Sequence, residues 1–233
     1  MNALELLPPI CVLVGGRGTR LGALTDHIPK PMIRVAGKPF LEWVLTQLRD
    51  AGFRRAVLCT GYRGDMVQDY FGTGKSLGIA ISYSDDGPTP LGTLGAVRKA
   101  LPLLGDPVPV LYGDTYLQVD FAAGIGAHQR SGRKATMSVL RNKGEWDASN
   151  AIVLGDRVAS YGKSPPPPSA EWIDYGFSVI DTHAIRESSE ADLADFMSSA
   201  ARSGNVSAFV ATKRFYEIGT PRSLVETESF LTP

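Results

Sequence analysis

The first half of the chain alternates apolar runs with segments of helical periodicity. Continuous aliphatic runs are typical of strands covered on both faces, and they predict strands at Ile10–Val14, Arg55–Thr60, Ile79–Tyr83 and Val108–Tyr112. Apolar residues at helical spacing predict helices at Phe40–Asp50, at Asp65–Phe71 and after Thr93, which we expect to cap its helix. This order predicts a Rossmann-like α/β fold, with a mostly parallel mixed sheet and helices on both faces.

The second half has a less regular pattern. Strands, some of them antiparallel, are predicted at Ala135–Leu140, Ala151–Leu154, Asp174–Ile180, Val206–Ala211 and Phe215–Ile218. Helices are predicted at Ala191–Ala201 and at Pro221–Phe230, which has proline in its first turn. The run Ser164–Ser169 contains four prolines and predicts an extended loop, because proline neither donates to a sheet nor continues a helix. No repeat or linker is visible, so residues 1–233 are predicted to form a single domain.

Composition narrows the class of function. The 233 residues include 24 basic and 24 acidic ones, and this balance gives no support for broad binding to nucleic acid or to a membrane surface. Neither a signal peptide nor an apolar run of membrane-spanning length is visible, which predicts a cytoplasmic protein. Cys11 and Cys59 stand inside apolar runs and are predicted to be buried free thiols.

A glycine-rich segment, Gly15–Leu21 (GGRGTRL), directly follows the first predicted strand. Ligands of open α/β sheets bind at the carboxyl ends of strands, where glycines let backbone N–H groups approach a polyphosphate and arginine forks onto phosphate oxygens. The dinucleotide fingerprint fails because Leu21 stands where its third glycine is needed, and no Gly-Lys-Ser/Thr closes a Walker A loop. The segment is therefore either a distinct phosphate-binding loop or a tight surface turn.

Three charged residues extend this hypothesis. Lys30 stands between two prolines on stiff backbone, either as an exposed lysine or as a cation positioned over phosphate. Asp114 follows the fourth predicted strand, and Glu217 follows an apolar strand later in the chain. Each acid alone is more typical of a surface or capping group. Together with a phosphate loop they suit Mg²⁺, which prefers one or two carboxylates plus substrate phosphate oxygens.

These motifs resemble the sugar-1-phosphate nucleotidyltransferases, or NDP-sugar pyrophosphorylases, over nearly the whole chain. The matching segments, in the order and spacing of that family, are GGRGTRL at 15–21, PKPM at 29–32, VAGKPF at 35–40, LGTLGA at 91–96, GD at 113–114 and EIGTP at 217–221. LGTLGA looks most like the guanylyltransferases that act on mannose or heptose 1-phosphate. The resemblance implies a Mg²⁺-dependent enzyme that joins a nucleoside triphosphate, GTP favoured, to a sugar 1-phosphate and releases pyrophosphate.

The resemblance also implies a role for individual residues. It implies a nucleotide-binding half, about 8–115, and a sugar-binding half, about 116–233. The catalytic residues would be Arg20, Lys30 and Asp114, and the metal ligands Asp114 and Glu217. The nucleotide-binding residues would be Gly15, Gly16, Arg17, Gly18, Thr19, Gly92 and Thr93, and the sugar-phosphate-binding residues Lys163, Asp174 and Gly176.

The chain departs from the family pattern in three places. Glu217 stands where the family usually has aspartate, Gly162 stands where it often has a glutamate that contacts sugar hydroxyls, and the proline run replaces the usual sequence after Lys163. The last two departures leave the identity of the sugar open. We expect no C-terminal β-helix of the kind that longer relatives carry, and a homo-oligomer is possible.

Two other functions remain open. A catalytically inactive nucleotide-sugar binding or regulatory subunit of the same fold is favoured by the change from aspartate to glutamate at position 217. A dinucleotide-dependent oxidoreductase is disfavoured by the missing third glycine.

Overall fold

The computed structural model describes residues 7–142 and 144–232, apart from the side chains of Thr19, Arg20 and Ala23. The strands of this part are β1 (Ile10–Leu13), β2 (Arg34–Val35), β3 (Lys38–Pro39), β4 (Arg55–Thr60), β5 (Ala80–Asp85), β6 (Val108–Tyr112), β7 (Thr115–Tyr116), β8 (Ala135–Arg141), β9 (Ala151–Leu154), β10 (Arg157–Tyr161), β11 (Trp172–Ile180), β12 (Val206–Ala211) and β13 (Tyr216–Glu217). The α-helices are α1 (Phe40–Asp50), α2 (Gly64–Phe71), α3 (Thr93–Ala100), α4 (Phe121–Ser131), α5 (Thr182–Glu187), α6 (Leu193–Arg202) and α7 (Pro221–Leu231).

Nine of the described strands form one mixed sheet in the order β5-β4-β1-β6-β11-β8-β12-β10-β9. β5, β4, β1 and β6 are mutually parallel, and of the nine strands β10 and β11 run against the other seven. The chain leaves β1 for β4 and β5 on one side and returns through β6 on the other. β1 and β6 therefore flank the switch point of the sheet, the place where open α/β sheets bind ligands.

The two faces of the sheet carry separate apolar cores. Ile10 and Val12 of β1 face a core that includes residues of α1 and α4, whereas Cys11 between them faces a core that includes residues of α3 and α6. This alternation follows from the two-residue period of a strand. Cys11 and Cys59 are buried free thiols, as predicted, with their Sγ atoms 3.4 Å apart.

The sequence pattern predicted most of these elements to within two residues, and the α/β class, the mixed sheet and the helices on both faces are confirmed. In the described residues no β-helix follows the sheet, since α7 comes after β13. The pattern missed β10, the two-residue strands β2, β3 and β7, and the helices α4 and α5. α4 carries two glycines, at 124 and 126, that weaken its helical signal, and β10 is a short strand after a tight turn. The prediction that Thr93 caps α3 is wrong: Gly92 occupies the cap position and Thr93 is the first helical residue.

Candidate functional site

The glycine-rich segment forms a loop that packs on Lys30. The Leu21 N–H and the Thr25 hydroxyl both donate to the Gly18 carbonyl, which closes the turn. Gly18 has φ +68°, and a Cβ there would lie 2.9 Å from Cβ of Lys30. Glycine is thus required at position 18 both for its backbone conformation and for the close approach of the lysine stem.

Lys30 bridges the glycine loop and the end of β6. Its side chain is almost fully buried, and its Nζ lies 2.6 Å from Oδ2 of Asp114, while the Thr115 hydroxyl donates to Oδ1. Burial alone would raise the pKa of Asp114, but the Lys30 ammonium and the Thr115 hydroxyl lower it overall. The carboxylate is therefore ionised at neutral pH.

A cavity of about 250 Å³, here the glycine-loop cavity, opens at the carboxyl ends of β1 and β6. Its walls combine backbone of the glycine loop, the first turn of α3 and several carboxylates. The lining residues are Leu13, Val14, Gly15, Gly16, Lys30, Pro31, Cys59, Asp86, Pro90, Gly92, Thr93, Ala96, Tyr112, Asp114 and Asp192.

A second cavity of about 460 Å³, here the Lys163 cavity, adjoins the first. It is lined by Tyr112, Asp114, Thr115, Asp147, Ala148, Asn150, Lys163, Pro166, Ile173, Asp174, Tyr175, Gly176, Phe215 and Glu217. Of the described residues, only Tyr112 and Asp114 line both cavities. The end of β6 therefore stands between the two spaces.

Glu217 reaches the Lys163 cavity from the far end of the chain. β13 pairs with β7, which sets Glu217 opposite Thr115, and the Ile218 N–H donates to the Asp114 carbonyl. The Thr227 hydroxyl of α7 donates to the Glu217 carbonyl at 2.7 Å, and the Gly219 N–H donates to its carboxylate. The acids at 114 and 217 thus line one cavity although they are distant in sequence.

This donor set fits magnesium. Within residues 7–142 and 144–232, no group of three or more histidine, cysteine or acidic side chains is arranged to hold a metal ion. Mg²⁺ does not need such a group, because it binds through one or two carboxylates and completes its shell with water and substrate phosphate oxygens. Asp114 and Glu217, on the wall of one cavity, supply that number of carboxylates.

Lys163 belongs to a polar cluster with two tyrosines and an aspartate. Its Nζ lies 3.4 Å from Oη of Tyr112 and 4.7 Å from the centre of that ring. Tyr161 donates to one carboxylate oxygen of Asp174, and the Gly176 N–H donates to the other. Burial alone would lower the pKa of Lys163, but the Tyr112 oxygen and the carboxylates of Asp174 and Asp114 raise it overall. Lys163 is therefore a cation at neutral pH.

The structure brings most of the predicted site residues to these two cavities but separates others. Arg17 lies against Tyr62, with its Cζ 5.1 Å from the ring centre, and lines an adjoining groove with Gly15 and Gly16. Gly18 packs behind the loop against Lys30 and lines neither cavity. Thr19 and Arg20 were also predicted to be site residues, and their side chains lie outside the described part of the structure.

Residues that sequence reasoning did not single out also line the glycine-loop cavity. Asp192 comes from the second half, and its Oδ1 accepts hydrogen bonds from both N and Oγ1 of Thr93, 99 positions away. The neighbouring Ala191 carbonyl accepts from the N–H groups of Leu94 and Gly95 in α3, and a Cβ on Gly92 would lie 2.6 Å from that oxygen. No local sequence signal marks this contact.

Asp86 and Tyr112 are two further polar residues that line this cavity and were not predicted as site residues. Asp86 accepts a long hydrogen bond from the Leu91 N–H, and burial raises the pKa of its carboxyl group. Tyr112 is the last residue of β6 and lines the cavity beside Asp114, which lies in the turn after the strand. Its closeness to Asp114 in the sequence was the only signal that could have found it.

The comparison with protein families decides the classification. Residues 10–153, more than half of the chain, match the family model described as "Nucleotidyl transferase". This chain belongs to that family. The predicted resemblance to this family is therefore confirmed, and the matched range contains the glycine loop, Lys30, Tyr112 and Asp114.

Curated members of the nucleotidyl transferase family are similar in sequence to this chain. The N-acetylmuramate alpha-1-phosphate uridylyltransferase of Neisseria meningitidis is 42% identical over 48% of this chain and 49% of its own length. The mannose-1-phosphate guanylyltransferase of Mycobacterium tuberculosis is 33% identical over 75% of this chain and 49% of its own length. This chain spans about half the length of these relatives.

Solved structures confirm the fold of this family member. The crystal structure of HddC from Yersinia pseudotuberculosis complexed with GMP-PN superposes with a TM-score of 0.78 at 24% identity, and the match covers 96% of this chain and 100% of that one. Among the described residues, no helix has the length and apolar character needed to cross a membrane.

Proposed function

We propose that this chain is an enzyme that transfers a nucleotidyl group from a nucleoside triphosphate, GTP favoured, to a sugar 1-phosphate of the mannose or heptose type. The products are an NDP-sugar and pyrophosphate. The observation that carries the proposal is the meeting of two cavities at Tyr112 and Asp114, one beside the glycine loop and one beside Lys163. Two substrates that react with each other need adjoining sites with a charged boundary of this kind.

The reaction assigned to this site is an in-line displacement. A phosphate oxygen of the sugar 1-phosphate forms a bond to the α-phosphorus, the bond between the α- and β-phosphates breaks, and pyrophosphate leaves. The attacking phosphate is already ionised at neutral pH, so the protein supplies position and charge stabilisation rather than a strong base. The cavities accordingly present lysines and carboxylates instead of a serine–histidine pair.

Each part of the site takes one task in this proposal. Backbone of Gly15 and Gly16 approaches the triphosphate, the Lys30 ammonium stabilises charge on the reacting phosphates, and Lys163 binds the phosphate of the sugar. Asp114 and Glu217 would hold Mg²⁺, which supplies positive charge to the phosphates when bound. Asp174 acts by holding the strand end in place, because both of its carboxylate oxygens already accept hydrogen bonds from Tyr161 and Gly176.

The carboxylates of Asp86 and Asp192 support GTP as the nucleotide. Both residues line the glycine-loop cavity, beside the first turn of α3. A carboxylate is an acceptor only. Oδ1 of Asp192 already accepts from Thr93 and Oδ2 of Asp86 from Leu91, which leaves one oxygen of each for the adjacent N1 and N2 donors of guanine. Uracil and thymine present a single ring N–H between two carbonyl oxygens, which two acidic side chains would repel. The mannose-1-phosphate guanylyltransferase relative and the LGTLGA segment favour the same base.

A substrate panel tests this proposal. The purified chain is incubated with GTP, UTP, dTTP or ATP and with mannose, heptose, glucose or N-acetylmuramate 1-phosphate, and released pyrophosphate is measured with Mg²⁺ and with EDTA. We expect the fastest release with GTP and a mannose- or heptose-type acceptor, and none with EDTA. If nucleotide sugars bind but no pair releases pyrophosphate, the chain is instead a catalytically inactive binding subunit.

A further inference from the structure

Tyr112 occupies a position in the site that no motif assigns. It is the last residue of β6, and Asp114 lies in the turn that follows this strand. These two residues are the part of the described chain that contacts both cavities. In the proposed reaction, the two phosphates that become the diphosphate of the product meet at this boundary between the cavities.

The contact with Lys163 fixes how the Tyr112 hydroxyl is used. The lysine Nζ lies 3.4 Å from the phenol oxygen. An ammonium group has donors only, so the phenol oxygen is the acceptor and its own hydrogen remains available to another acceptor. None of the hydrogen bonds in residues 7–142 and 144–232 uses that hydrogen. Both donors, the ammonium and the phenol O–H, therefore stand together on the wall of the Lys163 cavity.

We propose that Tyr112 is a further catalytic residue, whose phenol O–H donates a hydrogen bond to the phosphate of the sugar 1-phosphate while its oxygen orients the Lys163 ammonium toward the same phosphate. This inference rests on the proposed function. The attacking phosphate must be held in line with the α-phosphorus, and two fixed donors on one wall restrict its orientation. A hydrogen bond to a phosphate oxygen is charge-assisted and stronger than one between neutral groups.

The protonation state of Tyr112 agrees with this role. A tyrosine phenol ordinarily ionises at about pH 10, well above physiological pH. The phenol is thus neutral at physiological pH and serves as a hydrogen-bond donor, not as a base. No proton needs to move, because the attacking oxygen is already ionised.

Steady-state kinetics of Tyr112→Phe test the inference. The change removes the hydroxyl and keeps the ring, so the packing of Tyr112 and its cation–π contact with Lys163 stay. We expect kcat/KM for the sugar 1-phosphate to fall by about tenfold or more, the scale of one charge-assisted hydrogen bond, while KM for the nucleoside triphosphate is unchanged. If Tyr112 had only a structural role, Tyr112→Phe would raise KM for both substrates or change neither.

Tyr83→Phe is the matched control. Its hydroxyl donates to the Gly72 carbonyl at 2.7 Å, and Tyr83 lines neither cavity. This variant loses an equivalent phenol hydrogen bond, and we expect wild-type kinetics for both substrates. Thermal unfolding is followed for all variants, and rates are compared at a temperature at which each is folded.

A second variant, Tyr112→His, keeps an aromatic ring and restores a donor. Activity of Tyr112→His above that of Tyr112→Phe supports a role for the hydrogen-bond donor. A double variant, Tyr112→Phe/Lys163→Met, gives an independent test: a fold-loss of kcat/KM smaller than the product of the two single fold-losses also supports it. The inference is overturned if Tyr112→Phe matches the wild type on an active substrate pair, or if it raises KM for the nucleoside triphosphate as much as it lowers kcat/KM for the sugar 1-phosphate. An inactive wild type across the whole panel would instead overturn the proposed function.

Discussion

Nζ of Lys30 lies 2.6 Å from Oδ2 of Asp114, although 84 positions separate the two residues. Lys30 stands on stiff backbone between two prolines, and Asp114 follows the central strand β6. This ion pair connects the glycine loop, which follows β1, to the end of β6 on the other side of the switch point, and it forms without substrate. Such preorganised charge reduces the reorganisation needed when charge develops on the reacting phosphates.

Replacement of Asp114 by asparagine should lower turnover by at least ~100-fold, the scale of losing a major electrostatic group in an active site. Asparagine keeps the shape of the side chain but removes the charge that faces Lys30. Magnesium-dependent pyrophosphate release measures the effect. Asp156→Asn is the matched control, since Asp156 is exposed and pairs with Arg133, and it should retain normal turnover. Near-normal activity of Asp114→Asn would contradict the role proposed for Asp114.

Glu217→Gln should raise the Mg²⁺ concentration for half-maximal activity by ~10-fold or more, as expected when a carboxylate near a metal is lost. Glu217→Asp should have a smaller effect, because the family pattern has aspartate at this position. The measurement is a magnesium titration of pyrophosphate release. Glu171→Gln removes an exposed acid that pairs with Arg141 and should leave the titration unchanged. Identical titrations for wild type and Glu217→Gln would remove Glu217 from the metal site.

Asp192→Asn should reduce the preference for GTP over UTP, because the side-chain atom that Thr93 does not contact becomes an NH2 donor and no longer accepts from guanine. The ratio of kcat/KM for the two nucleotides should fall by roughly 10-fold or more, the scale of a hydrogen bond to a charged group. Competing-substrate assays measure this ratio. The control Asp195→Asn changes an exposed acid of α6 outside the glycine-loop cavity. A ratio that stays constant in Asp192→Asn would exclude this residue from base recognition.

The raised pKa of Tyr112 predicts an alkaline loss of stability. Burial holds this phenol neutral up to about pH 12 in the folded chain, whereas an unfolded tyrosine ionises near pH 10. The folded state therefore binds this proton more tightly, so the contribution is complete below pH 10 and is lost as pH rises through 12. Urea unfolding from pH 9 to 12 should show a steeper loss for the wild type than for Tyr112→Phe. Parallel pH curves would mean that Tyr112 is not held neutral by the fold.

Local sequence predicted the elements whose pattern is strong. The aliphatic runs of β1, β4 and β6 and the five apolar positions of α1 lie where their periodicity placed them, because each reflects burial that neighbouring residues share. α4 and β10 were missed, since two glycines and a short run give weak local signals. The glycine loop and Lys30 could be singled out because phosphate-binding motifs have recognisable residue types at fixed spacing.

The sequence by itself determined the α/β class, the glycine loop and the residues that belong to the family motifs. Only the tertiary structure decided that Tyr112 and Asp114 line both cavities, that Asp192 meets Thr93, and that the Arg17 guanidinium lies against Tyr62 instead of in the glycine-loop cavity. The physical reason is the distance along the chain over which each kind of interaction acts. Periodicity and turn chemistry act between neighbours along the chain, whereas these contacts depend on strand order and on which loops meet at the switch point, and neither leaves a mark in the local sequence.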